Sequence, residues 1–108
     1  MKNAVGQIQS CSSIEEVRTQ IDRLDQQIVA LIAERGAYVK QAAAFKKSTA
    51  DVRAPQRVEQ VIAKVVALAS TNGANPIVIE QVYRAMIASF IDAELVEHAA
   101  LQSAAGKA

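Results

Sequence analysis

Apolar residues recur at alternating intervals of three and four from residue 14 to residue 45, interrupted by a single arginine: Ile14, Val17, Ile21, Leu24, Ile28, Leu31, Arg35, Tyr38, Ala42 and Phe45. This spacing is typical of one amphipathic helix. Ser13 and Glu16 have the spacing of an N-terminal capping box. At about 1.5 Å per residue the helix would be roughly 50 Å long, more than a domain of this size can cover. The pattern therefore predicts a long first helix that pairs with a second copy of the chain.

Two further segments carry apolar residues at helical spacing. Pro55 fits the first turn of a second helix, and Gly73 is a stop signal. Asn75 as N-cap and Pro76 at the first helical position begin a third helix, which continues toward Leu101. Nothing in the sequence favours a strand, so an all-α chain of three helices is predicted.

The remaining segments divide the chain. Residues 47–55 (KSTADVRAP) break the helical pattern and predict a loop. Residues 1–12 are small and polar, which predicts a flexible N-terminus, and residues 103–108 are expected to fray. Residues 13–102 then form a single helical domain.

The composition excludes several classes of function. A net charge of +1 gives no basic field for binding nucleic acid. The single cysteine, Cys11, excludes an internal disulfide and a cysteine-based zinc site, and the single histidine, His98, argues against a histidine-ligated metal or a Ser-His-Asp triad. We therefore expect no metal and no cofactor. No signal peptide or membrane span is recognisable, which predicts a cytoplasmic protein that does not bind membranes.

Two cations occupy a face where apolar residues are expected. Arg35 lies in the apolar row of the first helix, where burial without a partner would cost several kcal/mol. Lys46 follows eleven residues later, which is about three turns, so it projects from nearly the same face. Together they could hold a small dianion. The alternatives are an ion pair of Arg35 with Glu34, Asp25 or a partner helix, and a solvated helix end at Lys46.

Two further arginines are candidate site residues because of their positions. Arg18 precedes Lys46 by 28 residues, about 42 Å along a straight helix, so the two cannot share a small ligand within one chain. In an antiparallel pair of first helices, Arg18 of one chain would approach the far half of the other. Arg57 lies early in the second helix. Each of these arginines, taken alone, is more often a solvated surface charge.

A carboxyl group and a glycine also interrupt apolar patterns. Tyr83, Ile87, Phe90 and Glu94 follow 4-3-4 spacing, which places Glu94 on the apolar stripe of the third helix. The alternatives for Glu94 are an ion pair with a lysine or arginine, or exposure at the rim. Gly36 lies in the middle of the first helix, where it costs about 1 kcal/mol relative to alanine. Close packing or the approach of a ligand would explain it.

The run VRTQIDRLDQQIVALIAERGAYVKQAAAFK (residues 17–46), with APQR (residues 54–57) downstream, resembles the all-helical chorismate mutase family, and especially its isochorismate pyruvate lyase branch. The resemblance covers roughly residues 14–98. It implies an intertwined homodimer of three-helix chains, in which each active site uses residues of both subunits, binds a small dianionic substrate and needs no cofactor.

The resemblance also implies a role for individual residues. Arg18 is similar to the arginine contributed by the other subunit, and Arg35 to the arginine that grips a substrate carboxylate. Lys46 matches the lysine near that carboxylate and the ether oxygen of the bond that breaks. Arg57 matches the arginine at the start of the second helix. Glu94 stands where the family usually has a glutamine that donates to the ether oxygen, and a glutamate must be protonated to donate.

Some positions depart from the typical mutase. Ala54 and Val58 replace the Asp and Glu that flank the second-helix arginine in mutases, as in the lyase-like branch. The loop after the first helix is one residue shorter, which is again lyase-like, but Arg53 stands where a lyase has proline. Val58, Ile87 and Phe90 are expected to line the pocket.

Three functions remain open. The first is a chorismate mutase, which rearranges chorismate to prephenate by holding the reactive conformer and stabilising developing charge. The second is an isochorismate pyruvate lyase, which forms salicylate and pyruvate. The third is a non-catalytic helical dimer of the same fold.

Overall fold

The computed structural model describes residues 8–107, and the side chains of residues 8–101. Four helices follow one another along the chain: α1 (Ile14–Ala43), α2 (Thr49–Arg53), α3 (Pro55–Asn72) and α4 (Pro76–Lys107). No strand occurs in this part of the chain. The all-α class, the three long helices and the long first helix are confirmed. The backbone of α4 is helical over most of the predicted tail, whereas residues 1–7 lie outside the described residues.

The segment predicted as a loop contains α2, which corrects the prediction for residues 47–55. The hydroxyl of Ser48 accepts from the backbone N–H of Asp51 at 3.1 Å, and the Asp51 carboxylate accepts from the backbone N–H of Lys47 at 3.0 Å. These reciprocal bonds satisfy amides that the first turn of a helix leaves unpaired. Val52, only 4% exposed, anchors the turn in the core.

The ends of the long helices lie where capping residues predict them. Ser13 caps α1 by accepting from the backbone N–H of Glu16 at 3.1 Å. The Glu16 carboxylate accepts from the backbone N–H and the hydroxyl of Ser12, and these bonds lower the pKa of Glu16. Gly73 ends α3 at φ 73°, and the Asn75 side chain accepts from the N–H of Ile77 at 2.9 Å. Local sequence therefore determines these boundaries.

Helix α1 ends two residues before Phe45, the last residue of the predicted apolar row. After Ala43 the chain makes i→i+3 backbone hydrogen bonds, such as that from the N–H of Lys46 to the carbonyl of Ala43. A turn of this kind holds about 3.0 residues instead of 3.6, which shifts the directions of the side chains. In this segment Phe45 is 83% exposed, and Lys46 is half-buried.

The core lies between α3 and α4. Ile62, Val65 and Ala69 of α3 are buried in it, together with Val52 of α2. Arg84 of α4 makes a bidentate ion pair with Glu59 of α3 at 2.9 and 3.0 Å, which lowers the pKa of Glu59. These two helices form the body against which the other elements are positioned.

Helix α1 contributes little to this core. None of its side chains, all of which the structure describes, is buried. The radius of gyration is 18.1 Å, against about 13 Å for a compact chain of this length. The molecule measures 63 × 27 × 22 Å. An apolar row remains exposed along α1: Ile14, Val17, Ile21, Leu24, Ile28, Leu31 and Tyr38.

None of the helices in the described part of the chain is both long enough and apolar enough to cross a membrane.

Candidate functional site

A cleft of about 380 Å³ opens between the C-terminal half of α1, the short helix α2, the start of α3 and the middle of α4. Seven of the eight residues predicted for the site line it: Arg35, Lys46, Arg57, Val58, Ile87, Phe90 and Glu94. Arg18, on the N-terminal half of α1, does not line the cleft of its own chain. The structure thus brings together residues that lie up to 59 positions apart in the sequence.

Lys46 and Glu94 meet inside this cleft. The ammonium group of Lys46 donates to Oε2 of Glu94 at 3.2 Å, and the two side chains are only 23% and 10% exposed. A hydrogen bond between charged groups is stronger than a neutral one, and partial burial strengthens it further. Protonation of Glu94 would remove the ion pair and leave two adjacent donors, one on each residue.

Arg35 is held by an aromatic ring. Its guanidinium carbon lies 5.8 Å from the centre of the Tyr83 ring, within the range of a cation–π contact. Among the described residues Arg35 makes no ion pair, so the suggested pairing with Glu34 or Asp25 does not form within one chain. The ring fixes the position of the side chain without occupying the in-plane N–H donors that bind carboxylates.

A further cation, Arg53 at the end of α2, also lines the cleft. From the sequence, Arg53 is only a departure from the lyases, because the helix that carries it was predicted as a loop. The Ser48–Asp51 capping spacing was the available signal. Ala54 joins α2 to α3 in the left-handed conformation, with φ 37° and ψ 59°, and so directs Arg53 and Arg57 to the same cleft. Non-glycine residues rarely adopt this conformation, which is strained.

The cleft combines these charges with apolar walls. Four cations, Arg35, Lys46, Arg53 and Arg57, face it with one carboxyl group, Glu94. Its apolar lining residues are Val39, Val52, Val58, Val61, Ile87, Phe90 and Ile91. Such surroundings suit a small molecule with more than one negative charge and an apolar ring, because the walls exclude water and strengthen the interaction of each cation with an anion.

Among the side chains that the structure describes, no group of three or more histidine, cysteine, aspartate or glutamate residues could hold a metal ion. The absence of a metal and of a cofactor stays a prediction.

Comparison with known proteins agrees with this geometry. The family model for chorismate mutase type II matches residues 17–95, which include α2, α3 and nearly all of α1. An isochorismate pyruvate lyase of Pseudomonas aeruginosa PAO1 is 32% identical over 83 residues, which cover 77% of this chain and 82% of the relative. The matched region contains every residue of the cleft, and the chain belongs to the chorismate mutase type II family.

Proposed function

We propose that this protein is a chorismate mutase, an enzyme that rearranges chorismate to prephenate. The observation that carries the proposal is the set of four cations around an apolar cleft, of which only Lys46 makes an ion pair with a described residue. Chorismate carries two carboxylates on a compact ring system, which matches the charge and the apolar lining of the cleft. Membership of the family supports an enzyme of this type.

The reaction breaks one C–O bond and forms one C–C bond in a single concerted step, without a nucleophile. The protein must therefore hold the substrate with its side chain folded over the ring. Arg35 binds one carboxylate, and Arg57 on α3 adds to the positive electrostatic potential of the cleft. Lys46 and protonated Glu94 donate to the ether oxygen as negative charge develops there, and such donors contribute most in the transition state.

The second candidate is an isochorismate pyruvate lyase, in which a hydrogen moves from the ring to the departing enolpyruvyl group as the C–O bond breaks. Val58 favours it, because Val58 presents an apolar wall where the typical mutase has a glutamate that contacts the ring hydroxyl. Ala54 and the similarity to the Pseudomonas aeruginosa enzyme point the same way.

The test is a side-by-side assay of the purified protein with chorismate and with isochorismate between pH 5 and 8. Prephenate identifies the mutase, whereas salicylate with pyruvate identifies the lyase. A bicyclic dicarboxylate that mimics the folded transition state provides a second measurement. If neither product forms, and a high concentration of this compound does not raise Tm, the protein is a non-catalytic helical dimer.

We further propose that the protein acts as an intertwined homodimer in which two copies of α1 pair in antiparallel directions. The exposed apolar row along α1 supports this, since a single chain leaves that face uncovered. The pairing would bring Arg18 of one subunit to the cleft of the other, where it would hold the second carboxylate. A bidentate guanidinium suits that role.

Mixing two inactive variants tests the shared site. After subunit exchange between Arg18→Ala and Lys46→Ala chains, each mixed dimer contains one site with both residues intact. Random pairing should then restore about a quarter of the wild-type activity. As a control, mixed Arg35→Ala and Lys46→Ala chains should restore none, because both residues come from the same subunit. Exchange without recovery in the first mixture would contradict the shared site.

The protonation of Glu94 gives a pH prediction. Because only the protonated carboxyl group can donate to the ether oxygen, kcat/KM should be higher at pH 5 than at pH 8. Glu94→Gln donates at every pH and should flatten the profile between pH 5 and 8. Glu97→Gln, on the same helix but outside the cleft, is the control and should keep the wild-type profile. An acid preference that persists in Glu94→Gln would rule out this role.

A further inference from the structure

Gly36 lies where α1 meets α4. A Cβ atom built on Gly36 would lie 2.9 Å from Cε1 and 3.1 Å from Cζ of Phe90. Ordinary contacts of a Cβ atom lie between 3.4 and 4 Å, so an alanine here requires either the ring or the helix to move. Glycine is otherwise a poor choice in the middle of a helix, because it favours the unfolded chain. The close approach of the ring is the reason for its presence.

This contact lies at the edge of the cleft. Phe90 is half-buried and lines the cleft, and Glu94 lines it one turn further along α4. Arg35, the residue before Gly36, lines it from α1. The contact of Gly36 with Phe90 therefore joins the helix that carries the carboxylate-binding arginine to the helix that carries the proton donor.

We propose that Gly36 is a positioning residue that determines the width of the cleft. By letting the Phe90 ring lie directly against the α1 backbone, Gly36 fixes the gap between the Arg35 wall and the Glu94 wall. The gap then admits a six-membered ring with its enolpyruvyl side chain folded over it and excludes extended conformers. This inference rests on the proposed pericyclic activity. It attributes the selection of the folded substrate conformer to the contact between Gly36 and Phe90.

Opposite changes of width should affect different kinetic constants. Gly36→Ala drives the ring into the cleft, so the substrate fits poorly: KM should rise and kcat/KM should fall about 10- to 100-fold, as expected for a misplacement of up to about 1 Å. Phe90→Ala opens the cleft, so extended conformers bind as well: kcat should fall with little change in KM. If Gly36 only stabilised the fold, the two variants would not differ in whether KM or kcat changes.

A compensating variant tests the contact itself. In Gly36→Ala/Phe90→Leu the shorter side chain lacks both Cε1 and Cζ and so removes the clash, and kcat/KM should be higher than in Gly36→Ala alone. Gly73→Ala is the control: it strains the backbone at φ 73°, but lies outside the cleft with nothing within 4 Å of its Cβ, and should lower Tm without changing kcat/KM. Full activity in Gly36→Ala, or no recovery in the double variant, would overturn the proposal.

A crystal structure of Gly36→Ala separates this inference from the proposed function. If the wild-type protein acts on neither substrate, the proposed function fails, but the position of the ring still decides the inference. A Phe90 ring displaced into the cleft supports Gly36 as the residue that sets its width. An α1 helix moved outward from α4 supports it as well, because the gap between the two walls then widens. A ring and an α1 helix that both keep their original places refute it.

Discussion

Replacing Lys46 with alanine is expected to lower kcat/KM by about 10²–10³-fold, the usual effect of removing one donor to a developing negative charge. Lys46 is the cation bonded to Glu94. In the proposed mechanism both groups donate to the ether oxygen. The loss should appear in kcat as well as in kcat/KM, because the charge on that oxygen develops only in the transition state. Steady-state kinetics on whichever substrate is turned over gives both constants.

The adjacent Lys47 provides a matched control. Its backbone N–H donates to Asp51, but its side chain does not line the cleft. Lys47→Ala removes the same charge from the same segment and should leave kcat/KM within about twofold of wild type. Helical circular dichroism of both variants shows whether the fold is retained. A folded Lys46→Ala protein with nearly wild-type activity would remove Lys46 from the mechanism.

Replacing Ile28 with aspartate is expected to abolish both assembly and activity. Ile28 lies midway along the apolar row of α1 and is 50% exposed within one chain. Pairing of two α1 helices would bury one unpaired carboxylate from each subunit, and each would cost several kcal/mol. The two costs together are comparable to the whole free energy of unfolding of a typical protein, about 5–15 kcal/mol. The variant should therefore be monomeric or unfolded, and inactive. Light scattering on a size-exclusion column measures the molar mass.

Gln26→Asp is the control for this substitution. It introduces the same charge two residues away, about 200° around the helix from Ile28. The variant should keep the molar mass and activity of the wild type. A fully active Ile28→Asp protein of unchanged molar mass would show that the apolar row of α1 is not the interface.

The sequence was informative at the ends of the long helices, where structure depends on neighbouring residues. Ser13, Pro55, Gly73 and Asn75 define helix ends through hydrogen bonds and backbone preferences that act over one turn, and the observed boundaries agree with them. The helical spacing of Arg35 relative to the apolar row likewise indicated a polar group on an inner face. Such signals need no knowledge of how the helices pack.

Other features depend on packing, and their partners could not be named from the sequence: an ion pair of Glu94 with a lysine or arginine was one alternative, but Lys46 was not identified as the partner. The contact of Lys46 with Glu94 joins residues 48 positions apart, and that of Gly36 with Phe90 joins α1 to α4. The sequence suggested close packing or a ligand for Gly36 without choosing between them. The tightened turn after Ala43 was not recognised, because the apolar spacing continues without interruption to Phe45.

The left-handed joint at Ala54 places backbone strain at the wall of the cleft. No side chain caps α3 at this position. The aspartate that the family resemblance places here would tolerate the left-handed conformation better than alanine. Alanine at this joint therefore lowers the folding stability of the chain relative to aspartate, at a residue that lines the cleft.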